Sequence, residues 1–408
     1  MKIFKNIVLS FIIALSGLTM VSCLDESTQS AIPKVTIQVS MPHGFKDSLH
    51  YANQYITLQS NRIKYRSLTD SLGKAVFSNV IPDVYSVSTS LELTGDQYVA
   101  YSDTIVENKG VILSGNLTKQ LIFNEKTLEL YLTKAVKQSL LISKIYTSGT
   151  KDALGKSYTA DGYIEIFNNS DETQYIDGLY LGLVEAESVI AFPASTNPIY
   201  IHARQIFRFP GTGQENPILP GKSIVIANSA INHTITAPTS VDLSAADFEA
   251  KSTKYSNNSN VKAINLIYTA YASLLYMNLT NGGNNSTFIF KTNDDVSKYP
   301  IDYIPGKTSG NRYIRIPAET VIDGVEVLNN KAVTGPDINS KRLQNFIDVG
   351  YMFISSISGY THESIDRRVN TATSGTRIYL RDTNNSLQDC INVTDPTPRK
   401  YDKPLLLQ

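Results

Sequence analysis

Apolar and polar side chains alternate through Val35, Ile37, Val39 and Met41, with Thr36, Gln38 and Ser40 between them. A period of two sends the two sets to opposite faces, so this stretch predicts a strand with one face buried. Ala52, Ile56 and Leu58 predict a second strand. Between Thr69 and Val87, Asp70 can accept a hydrogen bond from the backbone two residues on, and Gly73 can take the positive φ that closes a hairpin. Ala75 and Phe77 then point inward together, and Pro82 turns the chain into a strand carrying Tyr85, Val87 and Leu91. Further strands are expected at 111–113, 121–123 and 128–132. Leu140 to Tyr146 reads as a strand, and Tyr163 to Asn169 as an alternating one ending on two asparagines that favour a turn. Ile176 to Leu181 follows at short range. Leu219-Pro220-Gly221 predicts a type II turn, with proline at i+1 and glycine at i+2, and it opens a strand from Ser223 to Ala227.

The pattern is all-β, and its order of pieces carries two resemblances. Thr69-Asp70, Gly73, Ala75, Phe77, Val80, Pro82, Tyr85 and Val87 resemble the signature of the carboxypeptidase-regulatory or transthyretin-like domain. That family implies a prealbumin-like β-sandwich used as a spacer or binding module. Asp83-Val84 departs from it, because the family usually has glycine directly after the proline. In the second half, Tyr163, Ile164, Glu165 and Asn168, then Pro220-Gly221, then Ser364, Arg367, Asp382-Thr383-Asn384-Asn385 and Asp389 resemble the lamin-tail domain. The resemblance implies an immunoglobulin-like sandwich that binds or anchors and has no catalytic residues to carry over. Tyr180 stands where that family often has tryptophan, and Cys390 where it often has phenylalanine. Arg381-Asp382 and Asn384-Asn385 are expected to form a hydrogen-bonded turn inside this sandwich in preference to a ligand site.

The N-terminus changes the picture. Lys2 and Lys5 precede an apolar run from Ile7 to Val21. The run is shorter than the ~20 residues a membrane-spanning helix needs, and it ends in small residues, as a secretory signal peptide does. Met20-Val21-Ser22-Cys23 resembles the lipobox of bacterial lipoproteins, which implies that Cys23 is lipidated and becomes the mature N-terminus. Asp25 and Glu26 resemble the export signal that sends Bacteroidetes-type lipoproteins to the outer face of the outer membrane; the alternative is a plain solvated linker. Asp47-Ser48-Leu49, Asp70-Ser71-Leu72 and Asp103-Thr104-Ile105 resemble the O-glycosylation acceptor of the same bacterial group. The expected organisation is a lipoprotein signal peptide at 1–22, a tether at 23–32, a transthyretin-like β-sandwich at 33–135 and a lamin-tail-like β-sandwich at 136–408, with an insertion at about 228–360.

Composition narrows the function. Lys and Arg number 37 against 37 Asp and Glu, so no global field steers the chain toward nucleic acid. Once Cys23 is taken by lipid, Cys390 is alone, which rules out an internal disulfide framework and suits a buried small hydrophobe. Gly155-Lys156-Ser157, Gly221-Lys222-Ser223 and Gly306-Lys307-Thr308 lack the earlier glycine of a phosphate loop and read as turns. His362-Glu363-Ser364-Ile365-Asp366 puts an aspartate where a zinc-peptidase helix needs its second histidine. His43, His50, His202 and His233 show no ligand spacing, and Asp294-Asp295 reads as an exposed turn. Tyr268, Tyr271 and Tyr276 are expected on the buried face of a short helix within the insertion.

No catalytic, cofactor or metal site is expected, so the sequence-based expectation is a non-enzymatic outer-membrane surface lipoprotein, anchored by lipid on Cys23. The combination of lipobox and two sandwiches resembles an uncharacterised Bacteroidetes surface-lipoprotein family, which implies an accessory role to a TonB-dependent transporter. Loops on rigid sandwiches are where binding usually resides, and the insertion is expected to supply the variable surface. The alternatives are an adhesin or fimbria-like structural subunit, and, third, a glycan-binding or hydrolytic lipoprotein.

Overall fold

Val35–Ser40 forms the first strand, β1, and its buried face is the one its alternation marks: Val35 and Ile37 are fully buried, Val39 nearly so. The computed structural model describes residues 33–250, 262–270, 276–279, 283–330, 335–336, 338–370 and 377–401. Cys23, the tether, Asn257 to Asn260 and Tyr271 lie outside the described residues.

After β1 come β2 (Tyr55–Gln59), β3 (Lys64–Leu68), β4 (Lys74–Phe77), β5 (Asp83–Leu93), β6 (Val111–Ile122), β7 (Lys126–Tyr131) and β8 (Thr133–Val136). They make a three-stranded sheet ordered β4-β1-β7 and a five-stranded sheet ordered β3-β2-β5-β6-β8. One apolar cluster fills the space between them, and it draws only on residues 35–132. The Asp70 hairpin closes as expected. Its carboxylate accepts from the amides of Leu72 and Lys74, each at 2.9 Å, and Gly73 has φ +77°. The seven-residue helix Gly95–Tyr101 was not expected. A capping box starts it: the Thr94 hydroxyl accepts from the Gln97 amide and the Gln97 side chain from the Thr94 amide. Tyr98 then packs against Phe45, with ring centroids 5.6 Å apart.

The second unit holds β9 (Leu140–Tyr146), β10 (Thr150–Lys151), β11 (Ser157–Tyr158), β12 (Tyr163–Asn168), β13 (Gln174–Tyr175), β14 (Tyr180–Val184), β15 (Tyr200–Arg208), β16 (Pro217–Ile218) and β17 (Ser223–Ala227). There follow β18 (Phe248–Glu249), β19 (Ile264–Asn265), β20 (Ile267–Ala270), β21 (Thr287–Phe290), β22 (Ile301–Tyr303), β23 (Arg312–Pro317), β24 (Val321–Val325), β25 (Ser364–Arg367) and β26 (Cys390–Val393). Two sheets face each other. One is ordered β19-β18-β17-β12-β9-β25-β26; the other is β22-β23-β15-β14-β21-β24, with β20 also on β15. Ile142, Ile164, Ile226 and Ile365 from the first meet Leu181, Phe207, Ile289 and Val325 from the second in one core.

Two expectations change here. Residues 228–360, expected as an insertion that carries the variable surface, supply five of the seven strands of the second sheet, β20 to β24, and Leu266 and Met277 enter the shared core. Tyr268 lies on strand β20, edge-on to Phe207, where a helix was expected, and Tyr276 is exposed. Burial also departs from alternation, since every residue of β9, β12 and β14 is buried. The reason is a second apolar layer outside each sheet. Val241 and Leu243 cover Tyr163 and Val225, while Leu343 and Ile347 cover Phe288 and Ile314. Polar side chains on those outer faces are therefore buried as well.

Candidate site in the cleft between the two units

The site lies where the five-stranded sheet of the first unit faces the Arg381–Gln388 turn of the second. On β5, Tyr85 and Val87 point into the core, so Ser86, Ser88 and Ser90 line the other face. Tyr55 and Thr57 of β2 and Arg66 of β3 stand beside them, and the Arg66 guanidinium lies 4.0 Å from the Tyr55 ring centroid.

The opposing turn is built on buried charge. Asp389 is fully buried, and its carboxylate accepts from the Thr383 amide at 2.7 Å, the Thr383 hydroxyl at 2.8 Å and the Asn385 amide at 3.3 Å. Asp348 accepts from the Ser386 amide at 2.9 Å, and Asn384 sits at φ +54°, a region asparagine tolerates. Beneath the turn, the Arg367 guanidinium lies 3.2 Å from Asp323, 3.4 Å from Asp382 and 3.6 Å from Asp389. Burial outweighs Arg367 at two of these acids, pushing Asp323 up to about 7 and Asp389 up to about 6. Of the residues expected to form a hydrogen-bonded turn, Asp382 meets Arg367 and the Asn384 amide, and Arg381 pairs with Asp389, while the Asn385 side chain makes no hydrogen bond. Cys390 is buried in the adjoining core with its thiol pushed up by burial.

The outside of the same turn faces the cleft. Asn384 reaches across, donating to Ser114 Oγ at 3.3 Å, and Lys119 donates to the Pro336 carbonyl at 2.7 Å. Two adjoining hollows remain, of about 240 and 390 Å³, with Arg381 and Gln388 lining both. Four cations line them, Lys64, Arg66, Arg368 and Arg381, and no lining residue is acidic. Arg381 has Asp389 beneath it at 3.2 Å; among the described residues, the other three have no carboxylate in ion-pair range. Arg368 is held below its ordinary value, first by desolvation and then by the like charge of Arg381. Asn385 is 2% exposed, lines the smaller hollow, and has neither side-chain polar atom hydrogen-bonded. A buried amide without partners costs roughly 1–3 kcal/mol. Gly350 makes room for it: a Cβ there would lie 2.2 Å from Asn385 Oδ1.

The other candidates disperse. His202 pairs with Asp302 at 2.9 Å and stacks on Phe192, His233 bonds Tyr158 and the Ser229 carbonyl, His362 meets Tyr146 edge-on, and His43 and His50 are exposed. Asp295 caps a short 3-10 turn and Asp294 accepts from Tyr299. Gly155, Gly221 and Gly306 all have positive φ, as turn glycines do. No group of three His, Cys, Asp or Glu side chains is placed to hold a metal ion among the described residues. None of their helices is long and apolar enough to cross a membrane. The cleft was missed in the sequence because its cations come from four separated positions, with no shared spacing.

A family described as a protein of unknown function (DUF4876) matches residues 219–397. The crystal structure of a DUF4876 family protein from Bacteroides thetaiotaomicron is similar at 22% identity and TM-score 0.57, over 92% of this chain and 99% of that one. A DUF3823 family protein from Bacteroides ovatus matches at 10% identity and TM-score 0.15, over 48% of this chain and 98% of that one, which carries no argument about fold. No curated protein matches. The similarity is to uncharacterised Bacteroides-type proteins, and with the first of them it is one of fold.

Proposed function

We propose that this chain is a non-enzymatic binding protein, held at the outer-membrane surface by lipid on Cys23, that takes an anionic ligand in the cleft between its two units. The observation that carries the reading is the lining: four cations, no acid, and a buried Asn385 amide with no partner. Serine hydroxyls and amide groups around those cations suit a ligand bearing both hydroxyls and negative charge, such as an acidic glycan. Guanidinium groups grip carboxylate and sulfate with paired donors. Service to a TonB-dependent transporter fits such a binder and stands on the resemblance carried by the lipobox together with the two sandwiches.

Titration calorimetry with dextran sulfate against uncharged dextran tests the site. The expected result is binding of the sulfated polymer alone, weakened at least tenfold by Arg66→Ala with Arg368→Ala. Equal affinity of parent and double variant would sink the cleft reading. For the anchor, a Cys23→Ala protein is expected in the soluble fraction, and its continued sedimentation with membranes would overturn that part.

A further inference from the structure

On the outer face of the first sheet of the second unit, Glu165, Lys144 and Asp366 stand side by side on β12, β9 and β25. The register pairs Lys144 with Glu165 on one flank and with Asp366 on the other. Directly opposed residues in antiparallel strands have Cβ atoms roughly 4.5–5.5 Å apart on the same face. The three groups therefore form a row across the sheet. A bulge follows Glu165 in the β12–β9 pairing, which brings Ser143 to the same cluster. Bulges of this kind re-aim side chains and are frequent beside active sites.

All three are buried. The Lys144 side chain is 2% exposed and that of Asp366 10%, and Glu165 is fully buried. Lys144 Nζ donates to Asp366 Oδ2 and lies 4.9 Å from the centre of the Tyr401 ring. Tyr401 closes the cluster from the C-terminal segment, and its hydroxyl donates to Glu165 Oε1 at 2.6 Å. Ser223 donates to the same oxygen at 2.5 Å and the Arg399 amide to Oε2 at 3.0 Å. Ser364 donates to the other oxygen of Asp366 at 2.6 Å. Burial raises the Glu165 carboxyl against the lowering effect of these donors and of Lys144.

We propose that Lys144 and Asp366 condense to an intramolecular amide, with Glu165 as the charged neighbour that assists the reaction. In the ion pair the ammonium passes one proton to the Asp366 carboxylate, and the freed amine attacks Cγ. As the C–N bond forms, the nitrogen passes a second proton to the departing oxygen, whose bond to Cγ breaks, while the Glu165 carboxyl on the other flank of Lys144 stabilises the positive charge that develops on nitrogen. One ammonium and one carboxylate give one amide and one water, with no oxidant or co-reactant. Holding the reactants in contact is worth an effective concentration on the order of 10⁵ M or more in well-oriented cases. The product replaces two buried charges by one neutral group, which removes the desolvation penalty on both ions. The bond joins strands 222 residues apart.

Mass spectrometry of the purified full chain tests this directly. The expected digest contains a branched peptide joining Lys144 to Asp366, lighter than its two parts by one water, and trypsin does not cut after Lys144. Asp366→Asn is expected to form the same link with loss of ammonia in place of water, and Asp366→Ala to form none. Glu165→Ala, confirmed as folded by circular dichroism, is expected to lose at least nine-tenths of the linked species. Recovery of two separate, unmodified peptides from folded parent protein would overturn the proposal. A Glu165→Ala chain linked as fully as the parent would remove Glu165 from the mechanism.

Discussion

Arg367 ties several segments of the second unit together. It donates to the Ile142 carbonyl as well as facing Asp323, Asp382 and Asp389. Breaking a buried ion pair from one side strands the partner, at a cost of about 3–5 kcal/mol. Arg367→Met is therefore expected to lose roughly that much in urea unfolding, and an unchanged midpoint would show that the cluster is not a structural centre. Asp323 sets a pH dependence of unusual sign. In the unfolded chain an aspartate loses its proton near pH ~4, whereas here burial raises the carboxyl to about 7. Between those values the folded state binds more protons, so this group's contribution to stability falls as pH rises through the window. Asp323→Asn is expected to flatten the urea midpoint between pH 4.5 and 7.5 relative to the parent; an unaltered slope would refute the assignment. At Gly350, an alanine is expected to cost about 1–3 kcal/mol by overpacking and to weaken dextran sulfate binding, because its Cβ displaces Asn385.

Among elements, several strands of the first unit were legible because they keep one wet face, while β3 and β8 were not expected. Val35, Ile37 and Val39 bury where the alternation says, and the Asp70–Gly73 hairpin follows from turn chemistry. The helix at Gly95 was written in Thr94 and Gln97, three residues apart, a signal overshadowed by the strands around it. The strands at 264–270, 287–290, 301–303 and 312–325 were not legible as sheet partners. Nothing in a lone sequence couples β21 to β14 across about a hundred positions, so the region read as an insertion. The cleft was equally hidden: its turn showed, while two of its four cations, Lys64 and Arg66, belong to the other unit. A consequence can be measured. Deleting residues 262–279 removes β20 and takes Leu266 and Met277 from the core. That shorter chain is expected to lose cooperative unfolding altogether, and a folded product would return the region to the status of an insertion.

For the whole molecule, the described apolar clusters stay within one unit or the other, and polar bonds such as Asn384 to Ser114 and Lys119 to Pro336 cross between them. Interfaces of that kind couple units weakly. Scanning calorimetry is expected to resolve two transitions in the free protein, and dextran sulfate in the cleft is expected to raise the lower one, since it binds only when both walls are folded. A single transition with no ligand shift would mean that the junction is stiffer than its bonds suggest.

The position of β1 has a consequence for load. It is the first described strand, and it runs between β4 and β7, antiparallel to one and parallel to the other, with four and six paired positions. Under the proposed anchoring and binding, tension between the N-terminus and a ligand would run along this strand. Its ladders would then be sheared together, where a strand pulled from a sheet edge unzips one bond at a time. Single-molecule pulling from residue 33 should show a high rupture force for the first unit; a low, sawtooth release would show that the strand peels.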